Sequence, residues 1–156
     1  MAKWYNGGGA DNDVVLFSKV RLARNLSDTP FKSRMGKEIK RNTVKKLYAS
    51  VKNSDIAGDF NIVDLSTESA VKAVSYAEKQ LISPEFAKEK GVFLLSSDES
   101  VSVMLCEEDH IRITAFAGGL ATEEAYRCAD RIDNVFINSL PIAFDEKLGF
   151  LTASPI

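Results

Sequence analysis

The pattern of this chain predicts an α+β domain with a largely antiparallel sheet and helices on one side. Two observations carry that expectation. Three strand-like segments, 92–95, 101–106 and 110–116, follow one another through short polar turns. Three other stretches space their apolar residues as helices do, and strands separate them. The order reads strand, helix, strand, helix, three strands, helix and a last strand.

Residues 1–13 hold Gly7-Gly8-Gly9 and Asp11-Asn12-Asp13 and read as a flexible lead-in, with the domain itself over 14–156. No strand precedes the glycines and no Gly-Lys-Ser/Thr follows them, which argues against a phosphate loop. Val14 to Arg24 is predicted as a strand. Val14, Leu16, Val20 and Leu22 share one face and Lys19 and Arg21 the other, and Arg24 has the parity opposite to the two cations. A helix is expected from about Lys37 to Val51, with Ile39, Val44, Leu47 and Val51 on its buried stripe. A short strand over 59–65 follows. Ser66 or Thr67 then caps a helix running to about Leu81, which Ser83-Pro84 breaks. Ser96 to Ser100 joins the first two of the three consecutive strands, and Gly118-Gly119 ends the third. Thr122 is expected to cap a helix to about Asn138, and Phe150-Leu151-Thr152 begins a last strand.

Composition sets the broad class. A chain of 156 residues, 45% apolar and 27% charged, suits one globular domain. Its formal net charge of −2 gives no bulk attraction to nucleic acid or to a membrane surface. No apolar run approaches the roughly 18 residues of a membrane span, and Met-Ala-Lys-Trp-Tyr-Asn is unlike a signal peptide. Cys106 and Cys128 are too few for a zinc cluster or a disulfide framework, so a reduced, cytoplasmic setting is expected.

The segment Cys106-Glu107-Glu108-Asp109-His110-Ile111-Arg112-Ile113 is the most informative. Consecutive carboxylates repel one another, and a site that holds a cation or takes its proton would favour them. A solvated hairpin tip is the plainer reading. Arg112 leaves the polar face of the strand after the acids. If that strand and 14–24 share a sheet, Lys19, Arg21 and Arg112 converge on one anion; otherwise Lys19 and Arg21 are a solvated strand face. His110 reads as a hydrogen-bonded structural residue. Cys106 is rejected as a nucleophile because neighbouring carboxylates suppress its thiolate, and Cys128 reads as a small core residue. The helix 37–52 and its approach carry Lys32, Arg34, Lys37, Lys40, Arg41, Lys45, Lys46 and Lys52 against Glu38 alone. Without interleaved aromatics, that run reads as a solvated face rather than a nucleic-acid surface.

Three segments together carry a resemblance. Ser18-Lys19-Val20-Arg21-Leu22-Ala23-Arg24-Asn25 resembles Ser-Arg-x-Arg-x-x-Arg. Glu107-Glu108-Asp109-His110-Ile111-Arg112-Ile113 resembles Glu-Glu-Asp-His-Leu-Arg-Ile. Leu148-Gly149-Phe150-Leu151-Thr152-Ala153-Ser154-Pro155 resembles Gly-Phe/Tyr-Leu-Thr-x-Cys-Pro. In this order they are similar to the ATP:guanido phosphotransferases, or phosphagen kinases, and the branch resembled is the bacterial protein arginine kinases. Glu78 to Pro84 is similar to that branch as well.

The resemblance implies transfer of the ATP γ-phosphoryl group to a guanidinium nitrogen of protein arginine, with Mg²⁺ held mainly through the nucleotide phosphates. It implies that Glu108 holds the substrate guanidinium with Glu107 beside it, and that Ser18, Lys19, Arg21 and Arg112 form the nucleotide set. The chain departs from the pattern at Lys19 for an arginine, Phe17 for a serine, Gln80 for a nucleotide-contacting histidine and Ser154 for the reactive cysteine. The family pattern continues past Ile156 with Thr-Asn-x-Gly-Thr and Arg-Ala-Ser. The chain is therefore expected to be the N-terminal part of an incomplete catalytic domain, with weak nucleotide binding, little turnover and an exposed strand edge near 149–152. A separate C-terminal half or a homodimer is the partner implied. A non-catalytic module docking an arginine-bearing partner through Glu107 and Glu108, or one half of a split enzyme, is the alternative.

Overall fold

The computed structural model describes residues 3–154; Met1 and Ala2 of the lead-in, Pro155 of the C-terminal motif and Ile156 lie outside the described residues. Five strands form one antiparallel sheet: β1 (Phe17–Arg24), β2 (Phe60–Asp64), β3 (Val92–Ser96), β4 (Val101–Leu105) and β5 (Ile111–Gly118). Their spatial order is β1-β5-β4-β3-β2, so the expected sheet forms and both β1 and β2 are edges. Helices α1 (Lys37–Lys52), α2 (Ala70–Glu78), α3 (Pro84–Lys88) and α4 (Thr122–Ser139) cover it.

Helices on one side describes only the long pair. Leu47 and Val51 of α1 and Ala129, Ile132 and Phe136 of α4 pack on Leu94, Val103, Ile111 and Ile113. Ala73 and Tyr76 of α2 and Phe86 of α3 pack on the opposite face, against Phe93, Leu95 and Met104. The central strands are therefore buried on both faces, which is why Val92–Ser96 and Val101–Leu105 read as near-continuous apolar runs.

Several boundaries differ for local reasons. β1 starts at Phe17 because Val14 and Val15 donate their N–H groups back to Asp11 O, leaving Val14 and Leu16 exposed. Ser66 and Thr67 close a turn on Asp64, so α2 begins later, capped by Ser69, whose Oγ accepts from Lys72 N. Ser83-Pro84 ends nothing; it starts α3, because proline suits the first helical turn and Ser83 Oγ accepts from Phe86 N. On α1 the buried stripe takes Thr43, whose hydroxyl donates to Ile39 O, and leaves Ile39 exposed. Ala121, not Thr122, is the cap residue of α4. Cys128 lies off the α4 stripe of Ala125, Ala129, Ile132 and Phe136, and is exposed rather than core.

Near both limits of the described residues the chain makes specific contacts. Trp4 stacks on Phe116 with centroids 4.3 Å apart, and its indole N–H donates to Glu99 O. Gly9 passes so close to β5 that a Cβ there would meet Gly118 O at 2.2 Å. The last strand forms a small hairpin, β6 (Phe144–Asp145) with β7 (Gly149–Phe150), apart from the main sheet. No helix among the described residues is long and apolar enough to cross a membrane.

Candidate active site

The acids occupy the reversal between β4 and β5. Cys106 N donates to His110 O at 2.8 Å, and Cys106 takes a left-handed φ of 56° to make the turn this tight. Burial pushes its thiol up to about 11, so desolvation silences it, while Lys40 and Lys32 pull weakly the other way. The carboxylates expected to suppress the thiol are not among the causes.

Two of the motif residues are consumed by the scaffold. His110 is fully buried; Nδ1 accepts from Leu26 N at 2.9 Å and Nε2 faces Pro30 O at 2.9 Å. A carbonyl can only accept, so the proton sits on Nε2 and the ring is neutral. Burial holds its pKa below the ordinary histidine value. Asp109 is buried too, and its Oδ1 accepts from Asn25 Nδ2 (2.7 Å) and Ala153 N (2.8 Å). Asn25 also accepts from His110 N at 3.0 Å and donates to Leu151 O at 3.1 Å. One amide thus ties the end of β1, the acid turn and the segment after β7 together.

Glu107, Glu108 and Arg112 meet. Arg112 Nη1 lies 2.6 Å from Glu107 Oε2, Nη2 lies 2.9 Å from Glu108 Oε2, and Asp109 Oδ2 stands 3.6 Å off. One guanidinium between three carboxylates explains how the fold tolerates three acids in a row. The pair is unequal: the Glu107 side chain is 12% exposed and that of Glu108 51%. Glu107 is also held by Ser83 Oγ (2.9 Å) and by Glu108 N (2.8 Å). Arg112 Nε is buried without a hydrogen-bond partner among the described residues.

The register decides which cations face the same way. Lys19, Arg21 and Ala23 of β1 lie opposite Phe116, Thr114 and Arg112 of β5, so Lys19, Arg21 and Arg112 occupy one face. Lys19 Nζ reaches Gln80 Oε1 at 3.3 Å and stands 5.3 Å from the Phe116 ring centroid. Burial and then the neighbouring Arg21 lower its pKa. Arg21 is exposed and makes no ion pair among the described residues. Arg24, on the other face as its parity predicts, pairs with Asp133 of α4 at 2.6 Å.

Ser18 is not brought to the cluster. Strand alternation turns it away from Lys19 and Arg21, where its hydroxyl donates to Gly119 O and accepts from Ala121 N, both at 2.9 Å. Both hydrogen-bonding roles of that hydroxyl serve the entry to α4. Asn25 and Ser83 carry no site role in the sequence reading, although each lies within a segment the reading singles out. Their signal is a long-range hydrogen bond, which spacing along a chain does not encode. A cavity of about 630 Å³ between α2 and α3, with Ala73, Val74 and Ala77 in its apolar lining, holds none of the candidate residues.

A carboxylate pair gripping a guanidinium, with cations on the adjoining sheet face, is an arrangement able to hold a guanidino group beside a polyphosphate. The family profile described as ATP:guanido phosphotransferase, C-terminal catalytic domain, matches residues 40–156. The chain belongs to this family. Among ATP:guanido phosphotransferases it is 40% identical to the protein-arginine kinase of Clostridium acetobutylicum, covering 99% of this chain and 46% of that protein. It is 39% identical to the protein-arginine kinase of Symbiobacterium thermophilum, covering 99% and 45%. The chain therefore spans about half the length of these relatives. Its fold matches the duplicated taurocyamine kinase of Schistosoma mansoni with bound transition-state-analogue components. That match has a TM-score of 0.82 at 16% identity, over 94% of this chain and 22% of that one. Lombricine kinase matches with a TM-score of 0.73 at 14% identity, over 95% and 46%.

Proposed function

We propose that this ATP:guanido phosphotransferase chain supplies the substrate-guanidinium and part of the nucleotide site for phosphoryl transfer from ATP to arginine side chains of proteins. The supporting observation is the grip of Glu107 and Glu108 on Arg112, which displays the recognition the substrate needs. Glu107, nearly buried and pinned by Ser83, stays on Arg112 and holds it in place. Glu108, half exposed, swings from Arg112 to the incoming guanidinium and accepts its proton, because that group is charged at any physiological pH. The freed nitrogen pair forms the N–P bond, the bond from Pγ to the bridging oxygen breaks, and its electron pair leaves on ADP.

Lys19, Arg21 and the Arg112 donors that Glu108 releases fit a polyphosphate along one sheet face. Mg²⁺ carried on the nucleotide phosphates would neutralise charge on the transferring group. Lys19 gives the charge without the bidentate fork of an arginine, and its tie to Gln80 spends one of its three donors.

The test is incubation of the chain with γ-labelled ATP, Mg²⁺ and an arginine-rich protein, read as acid-labile phosphoarginine, beside calorimetric titration with ATP. The expected result is ATP binding that Arg21→Ala weakens about tenfold, the loss of one charge-assisted contact, with phosphoarginine appearing once the C-terminal half of a protein-arginine kinase relative is added. ATP binding indifferent to both Arg21→Ala and Lys19→Ala would overturn the nucleotide assignment.

A further inference from the structure

The face of α1 that carries its basic run takes no part in this chemistry. Between it and the outer edge of the sheet runs a groove of about 430 Å³, with Val44, Tyr48, Ile62 and Leu105 in its lining. Its walls carry Lys37, Lys40, Arg41, Lys45 and Lys90 against Asp64 and Glu89. That is a local surplus of positive charge on a chain whose formal net charge is −2. The two acids are already engaged. Glu89 is held by Lys32 at 2.6 Å and by Lys40 at 3.3 Å, and Asp64 accepts from Ser66 N and Oγ. Lys37, Arg41, Lys45 and Lys90 make no ion pair among the described residues. The first three stand four residues apart on one stripe of α1, where like charges destabilise a helix, and a merely solvated face would intersperse acids.

The second observation is the strand beside that stripe. Among the described residues β2 pairs only with β3, so its outer row of backbone donors and acceptors is open there, and Ile62 on it is exposed. An open edge recruits an extended chain through backbone hydrogen bonds, and flanking cations select its side-chain charge. Tyr48, the aromatic residue of the lining, is half-buried against the core and presents only part of its ring, which disfavours base stacking and so single-stranded nucleic acid.

We propose that this groove docks an extended acidic segment of a partner protein. Its backbone continues the sheet at β2, its carboxylates meet Lys37, Arg41, Lys45 and Lys90, and its apolar side chains cover Val44 and Ile62. The proposal is independent of phosphoryl transfer and its readout needs no turnover.

The test is fluorescence anisotropy with a labelled dodecapeptide alternating glutamate and valine, titrated with the whole chain at low salt. Binding is expected. A glutamate–proline peptide of equal charge, which cannot add to a strand, should bind at least about tenfold more weakly. The surface variants K37E/R41E/K45E and K37Q/R41Q/K45Q should each lose at least about tenfold in affinity with their urea midpoints retained. No binding by the glutamate–valine peptide, equal binding by the proline peptide, wild-type affinity in both variants, or tighter binding of a single-stranded oligothymidine would each overturn the proposal.

Discussion

Asn25 donates from Nδ2 to Oδ1 of Asp109 at 2.7 Å, and both side chains are almost wholly buried. Asp109 is thereby a strut, although it sits in the middle of an acid run that looks reactive throughout. Asn25→Ala would strand His110 N–H and one bond of Asp109, and release Leu151 O. Each net bond contributes about 1 kcal/mol, and orphaned buried groups cost more, so the expected loss is about 2–4 kcal/mol. Urea unfolding checks it, and a loss under about 1 kcal/mol would show that the node carries little.

Glu107 and Glu108 should separate cleanly despite being neighbours. Glu107→Gln disturbs a near-buried contact with Arg112 and should destabilise by about 1–3 kcal/mol. Glu108→Gln disturbs a half-exposed one and should stay within about 0.5–1 kcal/mol of wild type. Binding of a small guanidino ligand such as agmatine should fall mainly in Glu108→Gln. Equal effects of both variants on stability and binding would refute the division of roles.

Acid should loosen the fold through His110. Its folded pKa lies below the ordinary value of 6.5 because the ring is buried. The unfolded chain therefore takes up the proton first, and stability present above about pH 6.5 is lost as pH falls toward the folded pKa. The slope in that window is at most about 1.4 kcal/mol per pH unit for one proton. Asp133, raised by burial, works with the opposite sign just above its ordinary 3.8. Denaturation at pH 7.5 and 5.5, with the His110 ring proton followed by NMR, checks this. A ring that titrates at 6.5 or above in the folded protein refutes it.

Arg24 and Asp133 join β1 to α4 through a pair whose side chains are 11% and 4% exposed, and Arg24 lies 3.7 Å from the Phe150 ring centroid. Asp133→Ala leaves a buried guanidinium uncompensated and should destabilise by about 3–5 kcal/mol. The double change R24M/D133L removes both charges and should restore most of that loss. Guanidinium chloride midpoints of the three proteins provide the comparison, and a double variant no more stable than Asp133→Ala would show that the pair is not the cause.

Much of the fold is legible in one dimension. The consecutive short-turn strands could only fold back on one another, and the period of apolar residues placed α1 and α4 nearly to their ends. Chain parity alone put Lys19 and Arg21 on one face and Arg24 on the other, because side chains alternate along any strand. The motifs at 18–25 and 107–113 pointed to a guanidino substrate and a nucleotide.

What parity and motif left open was settled by distance in space. Ser18 sits in a nucleotide-like motif, yet the turn leading into α4 claims both roles of its hydroxyl through Gly119 O and Ala121 N. His110 reads as structural from the sequence, but its partners, and the scaffold role of Asp109, emerge only when Asn25, Leu26 and Pro30 arrive from another part of the chain. The two short helices close the second face of the sheet because Tyr76 and Phe86 find Phe93 there, a contact no local period announces. Local pattern is set by the alternation and pitch of the backbone. The division of three adjacent acids into a buried strut, a nearly buried anchor and a half-exposed carboxylate depends on which distant atoms fold against each of them.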